Sequence, residues 1–242
     1  MVRICNMQQY FGQIEAVCDI DEVLNLCADL CENQGVLRQS YYFTPLFDPP
    51  NSNSTVVYHR GFTREWIKKY EAEGFRQHNP LPARTMMHGQ ILAWKEAMKR
   101  GTNTQENETY FEALREFGLI HGFGIPLFGP RGRDAYASFD FGTPIDEVPQ
   151  AQLGTVRSVA QAGHQRLCML LDTTQNMPDL TDREAEVLQW MVKGKSSSVI
   201  ADILSISPDT VKTYTKRIYG KLDASDRVGA VVKALKLGLV TV

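Results

Sequence analysis

No apolar run in this 242-residue chain approaches the roughly 20 residues that crossing a bilayer requires. The opening Met1-Val2-Arg3-Ile4-Cys5-Asn6 lacks the apolar stretch and small-residue cleavage site of an export signal, so the chain is expected in the cytoplasm, without a membrane partner. A short repeat is also missing, which excludes collagen-like and coiled-coil chains. With 22% charged and 10% aromatic residues, the composition does not suit a disordered chain. Cysteine is sparse and odd in number: Cys5, Cys18, Cys27, Cys31 and Cys168. Without an export signal, that favours reduced thiols over a disulfide framework. Cys27 and Cys31 lie four apart in a helical pattern, yet no histidine is close enough in sequence to complete a metal site, and both read as small buried hydrophobes. His59, His78, His88, His121 and His164 show no ligand spacing and read as structural. No acid, base and nucleophile converge with supporting spacing, so no catalytic residue, metal or cofactor is assigned and the chain does not read as an enzyme.

What is present is enough apolar material, 43%, for one large or two smaller packed domains. The net charge of −2 conceals an asymmetry. From Pro178 onward there are ten basic and eight acidic residues, against 16 basic and 20 acidic before it. Asp172-Thr173-Thr174-Gln175-Asn176-Met177-Pro178-Asp179 is polar, contains proline and separates two helical patterns. It reads as a linker, 172–179, between domains at 1–171 and 180–242.

The first domain mixes two periodicities. Residues 7–32 place Ile14, Val17, Val23, Leu24, Cys27, Leu30 and Cys31 at helical spacing. Ser40–Phe47 and Thr55–Arg60, separated by Asp48-Pro49-Pro50-Asn51-Ser52, read as strands. Thr63 suits the N-cap of a short helix, and another helix covers about 106–117. Leu119–Phe128 and Arg133–Phe141, joined through Gly129-Pro130-Arg131-Gly132, read as a hairpin, and a long helix over about 146–171 follows. Antiparallel strands among helices predict an α+β layered domain. Phe62, Trp66 and Tyr70 recur every four residues and are expected on one helix face, with Tyr58, Trp94, Tyr110 and Phe111 as further rings. By periodicity alone these are an ordinary aromatic core; the alternative is a pocket for a small amphipathic molecule.

The tail predicts four helices. Thr181 and Glu184 have capping-box spacing, Val187, Leu188 and Met191 form a buried stripe, and Gly194 ends the helix. A second short helix spans Ser196–Leu204. Ser207-Pro208 supplies a cap and a first-turn proline for a third, with apolar positions Val211, Tyr214, Ile218 and Leu222, and a fourth runs from about Ser225 to Leu237. Two short helices across a tight turn form a helix-turn-helix. The third presents Lys212, Thr213, Lys216, Arg217 and Lys221 with Asp209 as the one opposing charge, a face suited to the DNA major groove; Thr210 and Lys195 complete the candidate contacts. Taken alone, the charges are equally a solvated face.

Leu180-Thr181-x-Arg183-Glu184-x-Glu186-Val187-Leu188, Gly194-Lys195-Ser196, Ile200-Ala201, Ile206-Ser207, Thr210-Val211-Lys212, Lys221-Leu222, Arg227-x-x-Ala230 and Leu237-Gly238-Leu239-Val240 resemble the LuxR-type DNA-binding domain across the whole tail. Tyr214 departs, standing where many members have His. Trp66-x3-Tyr70-x8-Asn79-Pro80-x13-Trp94, followed by His121-Gly122-Phe123-Gly124-Ile125-Pro126, resembles the autoinducer-binding domain of LuxR-type quorum-sensing regulators. The resemblance implies a five-stranded antiparallel sheet between helical layers, a closed pocket for an N-acyl homoserine lactone with an acyl or aryl group, and a homodimer on a pseudo-palindromic promoter site, with RNA polymerase as partner if the protein activates. It further implies that Trp66 donates to the lactone carbonyl, that Tyr70 and Trp94 pack on the ligand, and that Ser138 bonds an acyl carbonyl. Asn79 departs from the family's Asp, which accepts from the ligand amide, and Phe62 stands where several members carry Tyr. Both departures leave open a non-lactone signal, or a regulator that binds DNA without one. The long helix ending near Leu171 and the last helix are the expected dimer surfaces.

Overall fold

The computed structural model describes residues 7–43, 56–172 and 178–240. Cys5, the first strand beyond Phe43, the Asp48–Ser52 turn, Thr55 and the middle of the expected linker lie outside the described residues. The chain forms two compact units, residues 1–173 and 174–242.

In the first unit, helices α1 (Met7–Ala16) and α2 (Ile20–Glu32) precede strands β1 (Arg38–Phe43) and β2 (Val56–Arg60). Then come α3 (Arg64–Ala72), α4 (Phe75–His78), α5 (Leu81–His88), the two-residue β3 (Leu92–Ala93), α6 (Trp94–Ala97) and α7 (Gln105–Glu116). Strands β4 (Phe123–Leu127) and β5 (Ala135–Asp140) and the long α8 (Gln150–Asp172) complete it. Side-chain caps fix several helix starts: Asp19 accepts from the Glu22 N–H at 3.0 Å, Thr63 from Trp66 at 3.2 Å, and Thr104 pairs reciprocally with Asn107.

The five strands form one antiparallel sheet in the order β2-β1-β5-β4-β3. The period of two decides what each face does. Tyr41, Phe43, Ala135, Ala137 and Phe139, with Phe123, Ile125 and Leu127 of β4, pack against Ile14 of α1, Val23 and Leu24 of α2, and Val156 and Val159 of α8. Gln39, on the same face, is buried and donates to the Ala28 carbonyl at 3.0 Å. Ser40, Tyr42, Tyr136 and Ser138 point the other way, towards α3–α7, where Trp66, Phe75, Leu81, Trp94, Tyr110 and Phe111 form a second apolar cluster. The result is the expected α-β-α layering, with a dry face and a face carrying hydroxyls.

The thiols follow their burial. Desolvation pushes the Cys27 thiol up to about 12 and raises Cys31 further, so neither is a nucleophile at neutral pH; Cys168 is also buried. His164 bridges the Tyr41 hydroxyl at 2.8 Å and the Arg133 carbonyl at 2.7 Å, and burial holds its pKa below the ordinary histidine value.

The second unit comprises α9 (Asp182–Val192), α10 (Ser197–Leu204), α11 (Pro208–Lys221) and α12 (Arg227–Lys236). Thr181 and Glu184 form the reciprocal capping box, and Ser196, Ser207 and Asp226 cap the other three helices. Ser205, at φ 52°, turns the chain between α10 and α11. Val187, Leu188, Met191, Ile200, Val211, Ile218, Leu222 and Ala230 meet in one core. Arg227 ties α12 back by donating to the carbonyls of Met191 at 2.9 Å and Lys195 at 2.6 Å.

One residue assigned to the DNA face is placed otherwise. Lys221 Nζ lies 2.7 Å from the buried Glu184 carboxylate and 2.6 Å from the Asp179 carbonyl, so its ammonium is spent inside the domain. This placement was hidden because Lys221 and Glu184 are far apart in sequence. The Lys221 hydrogen bond, assisted by the capping contacts from Thr181, holds the Glu184 carboxyl below its ordinary value. A lowered carboxylate pKa stabilises above the unfolded glutamate value near about 4.3, and the contribution is lost as pH falls through the folded value.

Lys221→Ala is therefore expected to destabilise the protein by about 1–3 kcal/mol in urea unfolding, because it strands a buried carboxylate. Lys216→Ala, on the exposed face, should stay within about 0.5 kcal/mol. Equal losses would mean that Lys221 is only a surface charge.

Candidate ligand cavity and nucleic-acid interface

Between the hydroxyl-bearing sheet face and α3–α7 lies a cavity of about 390 Å³. Its wall begins with α3, where the Thr63 cap fixes the first turn and the i, i+4 spacing aims Trp66 and Tyr70 inward. Trp66 sits among the rings of Tyr70, Phe75, Tyr110 and Phe117 at centroid distances of 5.8, 6.2, 6.4 and 5.3 Å. This packing fixes the indole plane, and its N–H makes no hydrogen bond among the described residues. Trp94 lies across the cavity against Gly122; a Cβ there would come within 2.5 Å of the indole ring, so only glycine permits this approach. Gly124 is constrained in the same way by Tyr136 and Thr85.

The sheet supplies the polar groups in cross-strand pairs. Ser40 stands opposite Ser138, with hydroxyls 2.6 Å apart, and Tyr42 stands opposite Tyr136. Trp94 Nε1 donates to the Tyr136 hydroxyl at 3.2 Å, and Ser138 bonds the same oxygen. The Tyr42 and Tyr70 hydroxyls are 2.6 Å apart. Burial pushes Tyr42 and Tyr110 well above the ordinary tyrosine pKa and raises Tyr70 too, although bonds from Tyr42 and Asn79 and the nearby Arg76 charge oppose the last shift. All these phenols are neutral at physiological pH.

Asn79 uses both ends of its amide. Its oxygen accepts from the Leu81 N–H at 3.0 Å, shaping the turn into α5, and its NH₂ donates to the Tyr70 hydroxyl. The amide donor introduced by Asn thus has its partner within the wall, while one oxygen lone pair remains.

Of the residues expected around a ligand, Phe62, Trp66, Tyr70, Asn79, Trp94, Tyr110 and Ser138 line the cavity. Phe62 does so from just ahead of α3 and not from the helix itself. Two do not line it. Tyr58 is paired with Tyr41 in the sheet register and so points to the α2 side, where its hydroxyl donates to Asn25 at 3.0 Å. Phe111 is one position beyond Tyr110 on α7, which rotates it into the solid core beneath the Arg84 guanidinium, 5.7 Å from its ring. Sequence reasoning missed Ser40, Tyr42, Tyr136, His59, Arg76 and Leu114 in the wall. Ser138 rests on the family resemblance, and strand alternation places Tyr136, two residues earlier, on the same face; Arg76 left no such signal.

In the second unit, α11 presents Lys212, Thr213, Lys216 and Arg217 to solvent, with Lys195 exposed ahead of α10 and Thr210 half-buried. Lys212 makes an exposed ion pair with Asp209 at 3.0 Å, and the Arg217 guanidinium lies 6.0 Å from the centre of the Tyr214 ring. The Thr213 hydroxyl donates to the Asp209 carbonyl at 2.9 Å. Lys216 and Arg217 make no ion pair among the described residues. Among the described residues, no group of three or more His, Cys, Asp and Glu is placed to hold a metal ion.

Comparison with known proteins agrees with this division. The family described as "Autoinducer binding domain" matches residues 19–167, and "Bacterial regulatory proteins, luxR family" matches residues 178–234. The quorum sensing-dependent transcriptional regulator RpaR of Rhodopseudomonas palustris is 33% identical over 181 residues, 74% of this chain and 73% of that one. The transcriptional activator VanR of Vibrio anguillarum is 27% identical over 99% of this chain and 98% of its own. Among solved structures, Escherichia coli SdiA superposes with a TM-score of 0.72 at 23% identity, covering 98% of both chains, a likeness of fold. With a matched family over most of its length, a packed cavity in the first unit and a helix-turn-helix in the second, the chain belongs to the LuxR-type quorum-sensing transcriptional regulators, an autoinducer-binding domain joined to a DNA-binding domain, and not to an enzyme family.

Proposed function

We propose that the cavity holds an N-acyl homoserine lactone with an acyl or aryl group, and that the protein acts in the cytoplasm as a homodimer on a two-fold-symmetric operator. An unspent donor carries the reading: the Trp66 indole N–H is held rigidly by four rings in the cavity wall, ready for a ligand carbonyl. The remaining lone pair of Asn79 supports acceptance from a ligand amide, and the Ser138 hydroxyl supports a bond to a second carbonyl. Lys195, Thr210, Lys212, Thr213, Lys216 and Arg217 are the proposed DNA contacts, and the Tyr214 ring helps to orient Arg217. On α12, Val228 and Val232 are 72% and 43% exposed and four residues apart, an apolar stripe that supports pairing of two copies. If the regulator activates, RNA polymerase is the further partner. No described helix is long and apolar enough to cross a membrane.

A second reading is favoured by Asn79, which is already engaged at both ends: the signal is an acyl compound without the lactone ring. SdiA has been solved in complex with octanoyl-rac-glycerol, a non-lactone acyl compound.

Four outcomes test these readings. At about 100 times its dissociation constant, a bound lactone should add about 2.7 kcal/mol of stability, visible as a higher melting temperature. Trp66→Phe keeps a ring but removes the donor, so lactone affinity should fall about tenfold; unchanged affinity would remove the indole from the site. Asn79→Asp should strengthen lactone binding through a charge-assisted acceptor, whereas no gain with any lactone would favour the second reading. Lys216→Ala or Arg217→Ala should weaken binding to DNA selected from a random pool and lower the slope of log K against log salt by about 0.9, with ligand affinity unchanged.

A further inference from the structure

Arg76 occupies an unusual place in the cavity wall. The four-residue α4 carries it between Tyr70 and Asn79, and its side chain is half-buried. Its guanidinium is close enough to Tyr70 to favour ionisation of that hydroxyl. Among the described residues it makes neither an ion pair nor a hydrogen bond. Glu71 also lines the wall, but it is exposed and unpaired with Arg76, and the exposed His59 imidazole adds no anion. The other polar groups nearby, Tyr42, Tyr70 and Asn79, are neutral and already bonded to one another.

A guanidinium offers five donors and no acceptor, and partial burial removes part of its hydration. A solvated arginine would keep its head in bulk water; this one stands on the wall of a closed-in aromatic site beside phenols that cannot neutralise it. Its fork matches a planar carboxylate, and the neutral surroundings would strengthen that pairing.

We infer that the molecule held in this cavity carries a carboxylate and that Arg76 selects it. The inference rests on the reading of the cavity as the signal site. The carboxylate has two possible sources, the far end of the acyl group of an intact lactone or the acid released when the lactone ring opens.

Both sources are tested with the full chain by calorimetry, using two pairs of probes. N-octanoyl-homoserine is compared with its lactone, and N-(7-carboxyheptanoyl)-homoserine lactone with its methyl ester. In one pair the acid should bind about 10- to 100-fold more tightly than its neutral partner, and that pair identifies the source. Arg76→Ala should abolish the preference of the acid over its neutral partner, and Arg76→Lys should retain part of it. Unliganded melting temperatures establish that the variants fold. Neutral members binding as tightly as acids in both pairs, or acid binding unaffected by Arg76→Ala, overturns the role of Arg76 and leaves the signal site standing. Failure of all four probes to bind the wild type overturns both.

Discussion

The first domain depends on one constraint, the strict alternation of side chains along β1 and β5. Tyr41, Phe43, Ala137 and Phe139 must all face one way if Ser40, Tyr42, Tyr136 and Ser138 face the other. A one-residue slip would bury hydroxyls among α1, α2 and α8 and put phenylalanines into the cavity. Register is therefore also ligand specification. The cross-strand pairs Ser40–Ser138 and Tyr42–Tyr136 place four hydroxyls on one patch, where they satisfy one another, the Trp94 donor and the Tyr70 hydroxyl. Each such group left without a partner would cost about 1–3 kcal/mol, so the network is part of the fold as well as of the site.

The second domain solves a related problem with charge. Glu184 and Thr181 together satisfy two backbone donors at the start of α9, but this leaves the Glu184 carboxylate inside. Lys221 answers it from the end of α11, so that helix is anchored through one of its own lysines. The helix is thereby divided along its length, with Lys212, Lys216 and Arg217 outward and Lys221 drawn back.

Local rules made much of this legible. Thr63, Thr181 with Glu184, and Ser207 before Pro208 announce helix starts, because a cap needs only residues within a few positions of each other. The helix-turn-helix and the β4–β5 hairpin were readable for the same reason. Two-residue β3 and four-residue α4 and α6 are shorter than any periodicity can register: β3 pairs with β4 through Leu92 and Gly124, α6 begins where Trp94 lies against Gly122, and α4 is held by Phe75 against Trp66 and Tyr110. The cavity was readable where it repeats every four residues in Trp66 and Tyr70. It was misread at Tyr58 and Phe111, whose ring chemistry is right but whose strand face or helix angle is wrong. Family resemblance supplied the positions of Trp94 and Asn79, which periodicity leaves unmarked.

The cavity's chemistry is unevenly distributed, and this bears on how it discriminates. Its apolar rings exclude little, since a methylene more or less on an acyl chain changes binding by only about 1–3 kcal/mol. Discrimination has to come from polar groups that the wall leaves without a partner. Most are already paired: Trp94 is committed to Tyr136, Ser40 to Ser138, and Tyr70 to Tyr42 and Asn79. Among the described residues the Trp66 indole, the Tyr110 hydroxyl and the Arg76 guanidinium have no such partner, and Trp66 and Arg76 can act only as donors. A molecule with acceptors at both separations satisfies the wall, whereas one lacking either leaves a donor desolvated without a partner. That penalty, more than the fit of the chain, separates the proper signal from its analogues.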